Sequence, residues 1–103
     1  MKPPELSDEQ RAAALAKAAE ARRVRAEVKE LLKTGTITFA DLLQRADEEE
    51  LIGGIKVESL LAAMPGTGKV KAKRLMEKYD IAGNRRLRGL GDRQRSGLLS
   101  EFS

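Results

Sequence analysis

Apolar residues recur at three- and four-residue spacing along nearly the whole chain, β-branched runs are absent, and glycine or proline falls between the periodic segments. That is the periodicity of helix faces, and it predicts an all-α fold. The first helix should open after Ser7, whose hydroxyl can cap while Gln10 reaches back as the other half of a capping box, and should stop at Gly35. At 1.5 Å per residue this helix of about 26 residues is ~39 Å long. Four shorter helices should follow: Thr38 to Glu50, with Thr38 and Asp41 as its cap pair; Val57 to Met64, stopped by Pro65; Gly68 to Tyr79; and Asp92 to Glu101, with Asp92 as its cap. Lys2, Pro3 and Pro4 read as a loose tail.

The chain so divides into a tail and long helix over 1–35 and a compact helical part over 36–103, expected to fold with that helix as one unit. The core is expected to draw on Phe39, Leu42, Leu43, Leu51, Ile55, Leu60, Leu61, Val70, Leu75, Met76, Ile81, Leu87, Leu90, Leu98, Leu99 and Phe102.

A step of 100° per residue turns the spacing of the first helix into direction. With Arg11 as zero, Arg22, Arg25, Lys29 and Lys33 fall at about 20°, 320°, 0° and 40°, whereas Glu20, Glu27 and Glu30 fall between about 100° and 180°. Val24, Val28, Leu31 and Leu32 occupy the sector between about 200° and 300°. The C-terminal half of the helix should therefore pack, with a basic stripe beside the seam, while the alanine-rich N-terminal half projects.

Composition narrows the function. The chain of 103 residues has no cysteine and no histidine, which removes thiol catalysis, disulfides, the usual zinc ligands and imidazole general bases together. An enzyme is the least favoured class, and no cofactor or metal is expected. No apolar run approaches the ~18 residues of a membrane span, and "MKPPELSDEQ" lacks the apolar core of a signal peptide, so an intracellular protein without a membrane partner is expected.

The formal charge of +4 conceals a steeper local imbalance: residues 69–95 carry ten Lys/Arg against three Asp/Glu, and residues 41–60 two against six. A basic second half suggests a polyanionic partner, although any single cluster is equally well read as a solvated surface.

The chemistry concentrates in "AMPGTGKVKAKRLM", residues 63–76. A nucleotide-binding loop would need G-x-x-x-x-G-K-[ST] after a strand. Here Ala63 stands at the first position, Val70 at the last, and the preceding segment is helical, so that reading fails. The layout of helix, Pro65, Gly66, Thr67, Gly68 and helix is instead similar to the turn of a helix-hairpin-helix motif, with small Ala72 where two helices approach. Pro65 ends one helix, the glycines allow unusual backbone angles, and the leading amides of the next helix form an anion site. Lys69, Lys71 and Lys73 add full charges, and Val70 lies among them. On its own the same spelling also suits a plain tight turn.

"LRGLGDRQRSGLL", residues 87–99, repeats the spacing at an offset of 23: Gly89 and Gly91 answer Gly66 and Gly68, and Leu98 and Leu99 answer Leu75 and Met76. Arg88 stands for Pro65 and Arg95 for Ala72, and Arg93 flanks the second turn. Just upstream, Arg85, Arg86 and Arg88 crowd one short turn, and guanidinium forks suit bidentate phosphate binding or guanine edges. Three arginines beside two glycine turns favour phosphate contact over bland surface.

The order of long Ala/Arg-rich helix, acidic linker, "VESLLAAMPGTGKVKAKRLM" and "RRLRGLGDRQRSGLLSEF" resembles the actinobacterial, or mycobacterial-type, integration host factor family over essentially the whole chain. The resemblance implies a nucleoid-associated protein of five helices, with a domain similar to the helix-two-turn-helix of a small-subunit ribosomal protein and of DNA-repair glycosylases. It implies duplex DNA as partner with little sequence preference, and roles in DNA compaction, topology and phage integration, hence an integrase or recombinase as a second partner. It places the family's arginine contacts on Arg85, Arg86 and Arg88 and its turn contacts on Gly66 through Lys71.

The expectation is therefore an architectural, non-enzymatic, monomeric DNA-binding protein whose affinity comes from phosphate neutralisation. With five or six cations engaged, log K should fall with log salt at a slope near −5, about −0.9 per phosphate. The stripe of Arg11, Arg22, Arg25, Lys29 and Lys33 need not face the same way as the turns, so a molecule touching duplex on two sides, bending or bridging it, is expected. An RNA-binding or ribosome-associated module is the first alternative, with only Phe39, Tyr79 and Phe102 to stack on bases. An adaptor using the acidic run Asp47 to Glu50 is the second.

Overall fold

The computed structural model describes residues 7–102, so the tail expected at Lys2, Pro3 and Pro4 lies outside the described residues. Six α-helices follow one another: α1 Asp8–Lys33, α2 Phe39–Glu48, α3 Glu50–Gly53, α4 Val57–Ala63, α5 Gly68–Lys78 and α6 Asp92–Glu101, with a 3-10 turn Leu87–Gly89 before the last. The all-α fold led by a long helix is as expected; the helix count is six rather than five.

Local capping chemistry sets the boundaries. The Gln10 amide donates to Ser7 Oγ at 3.1 Å and the Ser7 amide to Gln10 Oε1 at 2.9 Å, while Thr38 and Asp41 close the same box on α2 at 3.1 and 3.0 Å. The Thr38 amide, then its hydroxyl, hold the Asp41 carboxyl below its ordinary value. The second helix does not run to Glu50. It ends at Glu48, and Glu49 turns extended (φ −119°, ψ 111°) before α3 begins. Consecutive carboxylates at a helix C-terminus oppose the helix dipole, which accounts for the break. The break also shifts the register, so that Ile52 is fully buried and Leu51, expected in the core, is only partly so.

The core is otherwise built as expected from Phe39, Leu42, Leu43, Leu60, Leu61, Leu75, Met76, Leu87 and Leu98, with Val57 and Ala72 added. Val70 is a correction, being 67% exposed. On α5 the buried positions are Ala72, Leu75 and Met76, and a residue two before Ala72 lies about 200° from it, on the opposite face. Leu99 and Phe102 are half-buried, Phe102 meeting Phe39 with ring centroids 5.3 Å apart.

Val28 and Leu32 dock α1 against α3 and α4, while every residue from 7 to 20 is exposed. The radius of gyration is accordingly 15.7 Å, against about 13 Å for a compact chain of 100 residues. At the other end, α6 is tied down twice. Arg95 makes a bidentate pair with Asp47 at 2.9 and 3.1 Å, and Glu101 Oε1 accepts from both Lys78 Nζ and Tyr79 Oη at 2.7 Å. Gly97 lets the Tyr79 ring lie on α6, since a Cβ there would overlap the ring. Among the described residues no helix is long and apolar enough to cross a membrane.

Candidate nucleic-acid interface

The turn between α4 and α5 follows from its residues. Met64, preceding proline, is extended at φ −65°, ψ 141°. Gly66 and Gly68 then take φ +74° and +69°, with nothing within 4 Å of where a Cβ would stand, so glycine is required by conformation rather than by space. The Thr67 amide donates to the Met64 carbonyl at 3.1 Å and closes the turn. Thr67 stands at the N-cap of α5 but caps nothing, and its Oγ1 is the one buried side-chain polar atom among the described residues without a hydrogen-bond partner. An uncapped helix start leaves its leading amides open to an outside acceptor.

The lysines after the turn divide. Lys69 and Lys73 are one helical turn apart and share a face, whereas Lys71 lies about 200° round the helix from Lys69. Glu101 is held below the ordinary carboxylate range first by the hydrogen bond from Lys78, then by that from Tyr79, with a smaller Coulombic pull from Lys71.

Lys69 and Lys73 meet the basic stripe of α1. A cavity of 460 Å³ is lined by Lys29, Lys33, Ala62, Ala63, Gly68 and Lys69, among others. Next to it lies one of 390 Å³, lined by Lys29, Lys56, Ser59, Ala62, Lys69 and Lys73 together with Glu58. A third, of 310 Å³, shares Lys56 and Ser59 with the second and adds Arg25 and Arg86. The first two share Lys29, Ala62 and Lys69 and form one groove between α1 and the α4–α5 pair, and the third lies beside it between α1 and the α3–α4 linker. The stripe's C-terminal cations thus face the same way as the first glycine turn, where separate faces were allowed for. Arg11 and Arg22 are exposed on α1 and line none of these cavities. Lys56 and Ser59 are missing from the sequence-derived set. The signal for Lys56 was its place at the N-cap of α4, the lone lysine of an acidic segment.

The arginine turn is clamped to the linker between α3 and α4. The Val57 amide donates to the Arg85 carbonyl at 3.0 Å and the Leu87 amide to the Ile55 carbonyl at 2.9 Å, which pairs Lys56 with Arg86 as a single antiparallel bridge. Fully buried Leu87 anchors the turn. Arg86 donates to the Gly54 carbonyl and Arg85 to the Gly89 carbonyl, the latter at 3.2 Å. Arg88 and Arg93 are exposed.

The second glycine stretch does not repeat the first. Among the described glycines positive φ occurs at Gly35, Gly66 and Gly68, not at Gly89 or Gly91. Gly89 closes the 3-10 turn, and Gly91 is extended at φ −77°, ψ 166° as the N-cap of α6. Asp92, expected as that cap, is the first residue of the helix. Its place in holding the helix start is taken by Gln94, whose Oε1 accepts the Gly91 amide at 2.9 Å and whose Nε2 reaches the Tyr79 and Asp80 carbonyls. The Asp92 carboxylate in the first turn makes this helix start a poor anion site.

The ion pairs sort the cations. Among the described residues they engage Arg23, Arg45, Lys78 and Arg95. No cation assigned to the interface from the sequence takes part in one.

Comparison with known proteins identifies the relatives of this chain. A family model described as the S13-like H2TH domain matches residues 32–102. The integration host factors of Mycobacterium tuberculosis and Mycolicibacterium smegmatis are each 56% identical to this chain over 99 residues, covering 96% of it and 94% of the relative. That of Streptomyces coelicolor is 50% identical, covering 96% and 92%. A solved structure of sIHF bound to an 8bp palindromic DNA superposes with a TM-score of 0.82 at 45% identity, over 85% of this chain and 99% of that one.

Proposed function

This chain belongs to the integration host factor family, and from that premise we propose that it is an architectural, non-enzymatic protein of the nucleoid that binds duplex DNA through its phosphates. The observation that carries the reading is the likeness to sIHF in its DNA-bound structure, at 45% identity over nearly all of that chain. Two features of this chain support it. None of the cations assigned to contact takes part in an ion pair among the described residues, and the helix after the first glycine turn starts without a side-chain cap.

The contacts run from Gly66 through Lys71, with Lys73, and through Arg85, Arg86, Arg88 and Arg93, while Gly89 and Gly91 shape the turn that carries the arginines. Such binding carries little sequence preference, because phosphates are alike on every sequence. All three aromatic rings are occupied: Phe39 and Phe102 by one another, and Tyr79 by α6. None is left as a platform for bases, which favours a duplex backbone over single-stranded RNA. The S13-like character of the matched domain keeps structured RNA as the second reading. Bending and compaction of DNA, and assistance to a recombinase, follow as the roles of a monomer whose long helix and compact part form one unit.

The test is a salt titration of duplex binding. A slope near −5 in log K against log salt is expected, falling to about −2 with Arg85, Arg86 and Arg88 replaced by alanine, at about 0.9 per lost phosphate. Absence of duplex binding in dilute buffer, or binding indifferent to salt, would remove the reading; tighter binding to structured RNA at matched salt would favour the second.

A further inference from the structure

We infer that the projecting arm of α1, Asp8 to Arg23, is a self-docking surface that pairs end for end with the same arm of a second copy of this chain. The inference goes beyond the DNA-binding reading and stands or falls without it.

The arm is a helix with nothing packed on it. The Ser7–Gln10 box fixes its first turn, yet every residue from 7 to 20 is exposed, and inward-facing positions begin only at Ala21, Val24 and Val28. A helical stretch of that length is marginal in water, because helices in proteins draw most of their stability from packing. On the wheel that sets Arg11 at zero, Ala21, Val24, Val28 and Leu32 lie between about 220° and 300°, so the compact part of the molecule occupies that side. The opposite side, between about 40° and 140°, carries Leu15, Ala12, Ala16 and Ala19. Leu15 is 69% exposed, which leaves it as an apolar knob without a socket. A second arm can approach along this side without meeting the compact part of either copy.

Charge decides the occupant and its direction. The arm is acidic where it starts, at Asp8 and Glu9, and basic four turns later, at Arg22 and Arg23. Asp8 and Arg22 lie on one flank of the apolar side, at about 60° and 20°, and Glu9 and Arg23 on the other, at about 160° and 120°. None of Asp8, Glu9 and Arg22 takes part in an ion pair among the described residues, and Arg23 has only an exposed contact with Glu27 at 3.4 Å. Turned end for end about a two-fold axis at Leu15, two arms set Asp8 against Arg22 and Glu9 against Arg23, once at each end of the seam. Between these pairs Ala12 faces Ala19 and Leu15 faces its own copy, and the small side chains let the two backbones come close. A parallel pair would instead set Asp8 beside Asp8 and Arg22 beside Arg22, and like charges so placed reject that arrangement. Arg11 and Lys29, both at about 0°, and Arg25, at about 320°, stay off the seam.

Two arms of this kind overlap for ~24 Å and bury less than the ~1,200 Å² at which standard interfaces begin. The pair is therefore weak, and the chain is monomeric in dilute solution. Copies gathered on one polymer reach effective concentrations in the millimolar range, where a weak pair forms. The compact parts then stand at opposite ends of the joined arms.

The experiment measures self-association of the full chain without nucleic acid, by sedimentation equilibrium from micromolar to millimolar concentration at low salt. A monomer that passes reversibly into a dimer toward the millimolar end is expected. The double variants Asp8→Lys with Glu9→Lys, and Arg22→Glu with Arg23→Glu, should each pair at least about tenfold more weakly, since every flanking contact becomes one of like charges. Mixed in equal amounts, the two variants should pair again. Circular dichroism verifies that each keeps its helix, and the second variant lies beyond the first turn, so it reads charge apart from any fraying of the helix start. The chain has no cysteine, so Leu15→Cys supplies one thiol at the axis and should give a disulfide-linked dimer on mild oxidation, whereas Lys17→Cys, about 200° round the helix from Leu15, should not. A natural chain that stays monomeric to millimolar concentration overturns the inference. So does a dimer that neither charge reversal weakens, or a mixture of the two variants that stays monomeric.

Discussion

The glycine stretches at 66–68 and 89–91 have the same spacing and each precedes a helix, yet they are built in opposite ways. In the first, both glycines take positive φ, the N-cap side chain is idle, and no carboxylate stands in the first turn of the helix. In the second, both glycines lie at ordinary angles, Gln94 occupies the Gly91 amide, and Asp92 opens the helix. The first leaves the leading amides of α5 without a side-chain cap or a neighbouring carboxylate. The second is a structural joint, held in place by the bridge to the α3–α4 linker. Equal spelling thus does not mean equal construction; what separates the two is the left-handed backbone of the first and the carboxylate that opens the helix after the second.

Substituting the glycines themselves breaks the comparison most strongly. The pair Gly66→Ala with Gly68→Ala should cost about 2–4 kcal/mol of stability, since each alanine is forced into left-handed backbone at roughly 1–2 kcal/mol. Gly91→Ala should change stability by less than about 0.5 kcal/mol, having a negative φ and only the flexible Gln94 side chain near its new Cβ. Urea denaturation of the three chains measures this. Equal losses in the two stretches would mean that they share a construction after all.

A smaller effect comes from untying the second helix start from the end of α5. Gln94→Ala removes the acceptor from the Gly91 amide and two bonds to the Tyr79 and Asp80 carbonyls. The loss should be about 1–2 kcal/mol, read from the shift in the thermal midpoint. A neutral result would show that the capping contact is dispensable and that Asp92 suffices.

Which of these features could be read from the sequence follows from how far apart their causes lie. Ser7 with Gln10, Thr38 with Asp41, and Pro65 with its glycines act within a few residues, so the helix starts and the first turn were legible. The break at Glu49 needed the cumulative effect of four acids at a helix end, which a pattern of apolar spacing does not register. Val70 was misassigned because its polarity was read without its direction relative to Ala72 and Leu75. The groove was out of reach for a stronger reason. Arg25 and Lys29 meet Lys56 and Lys73 only through the azimuth at which Val28 and Leu32 dock α1, a tertiary choice that no local window contains. The clamp on Arg86 likewise joins it to Gly54, 32 residues earlier.

The last difference between the two stretches is their dependence on carboxylates, and acid should expose it. Arg95 lowers the carboxyl of Asp47 and Lys78 that of Glu101, both below their ordinary values, and these two acids hold α6 and with it the second stretch. A carboxyl whose folded value is depressed contributes stability that is complete above its unfolded value of about 4 and is lost as pH falls through the lower folded one. Asp47 is exposed and Glu101 half-buried, and both pairs lie at the surface where salt screens them, so the effect is the smallest of the set. Between pH 6 and 8 no change is expected. Below about pH 4 the amides of α6 should exchange hydrogen faster while those of α5 near the first turn, which no carboxylate caps, change less. Nuclear magnetic resonance exchange rates for the two helices measure this directly. Parallel loosening of both would show that acid acts on the whole fold, through the Asp41 cap of α2, and not on the joint that carries the second glycine stretch.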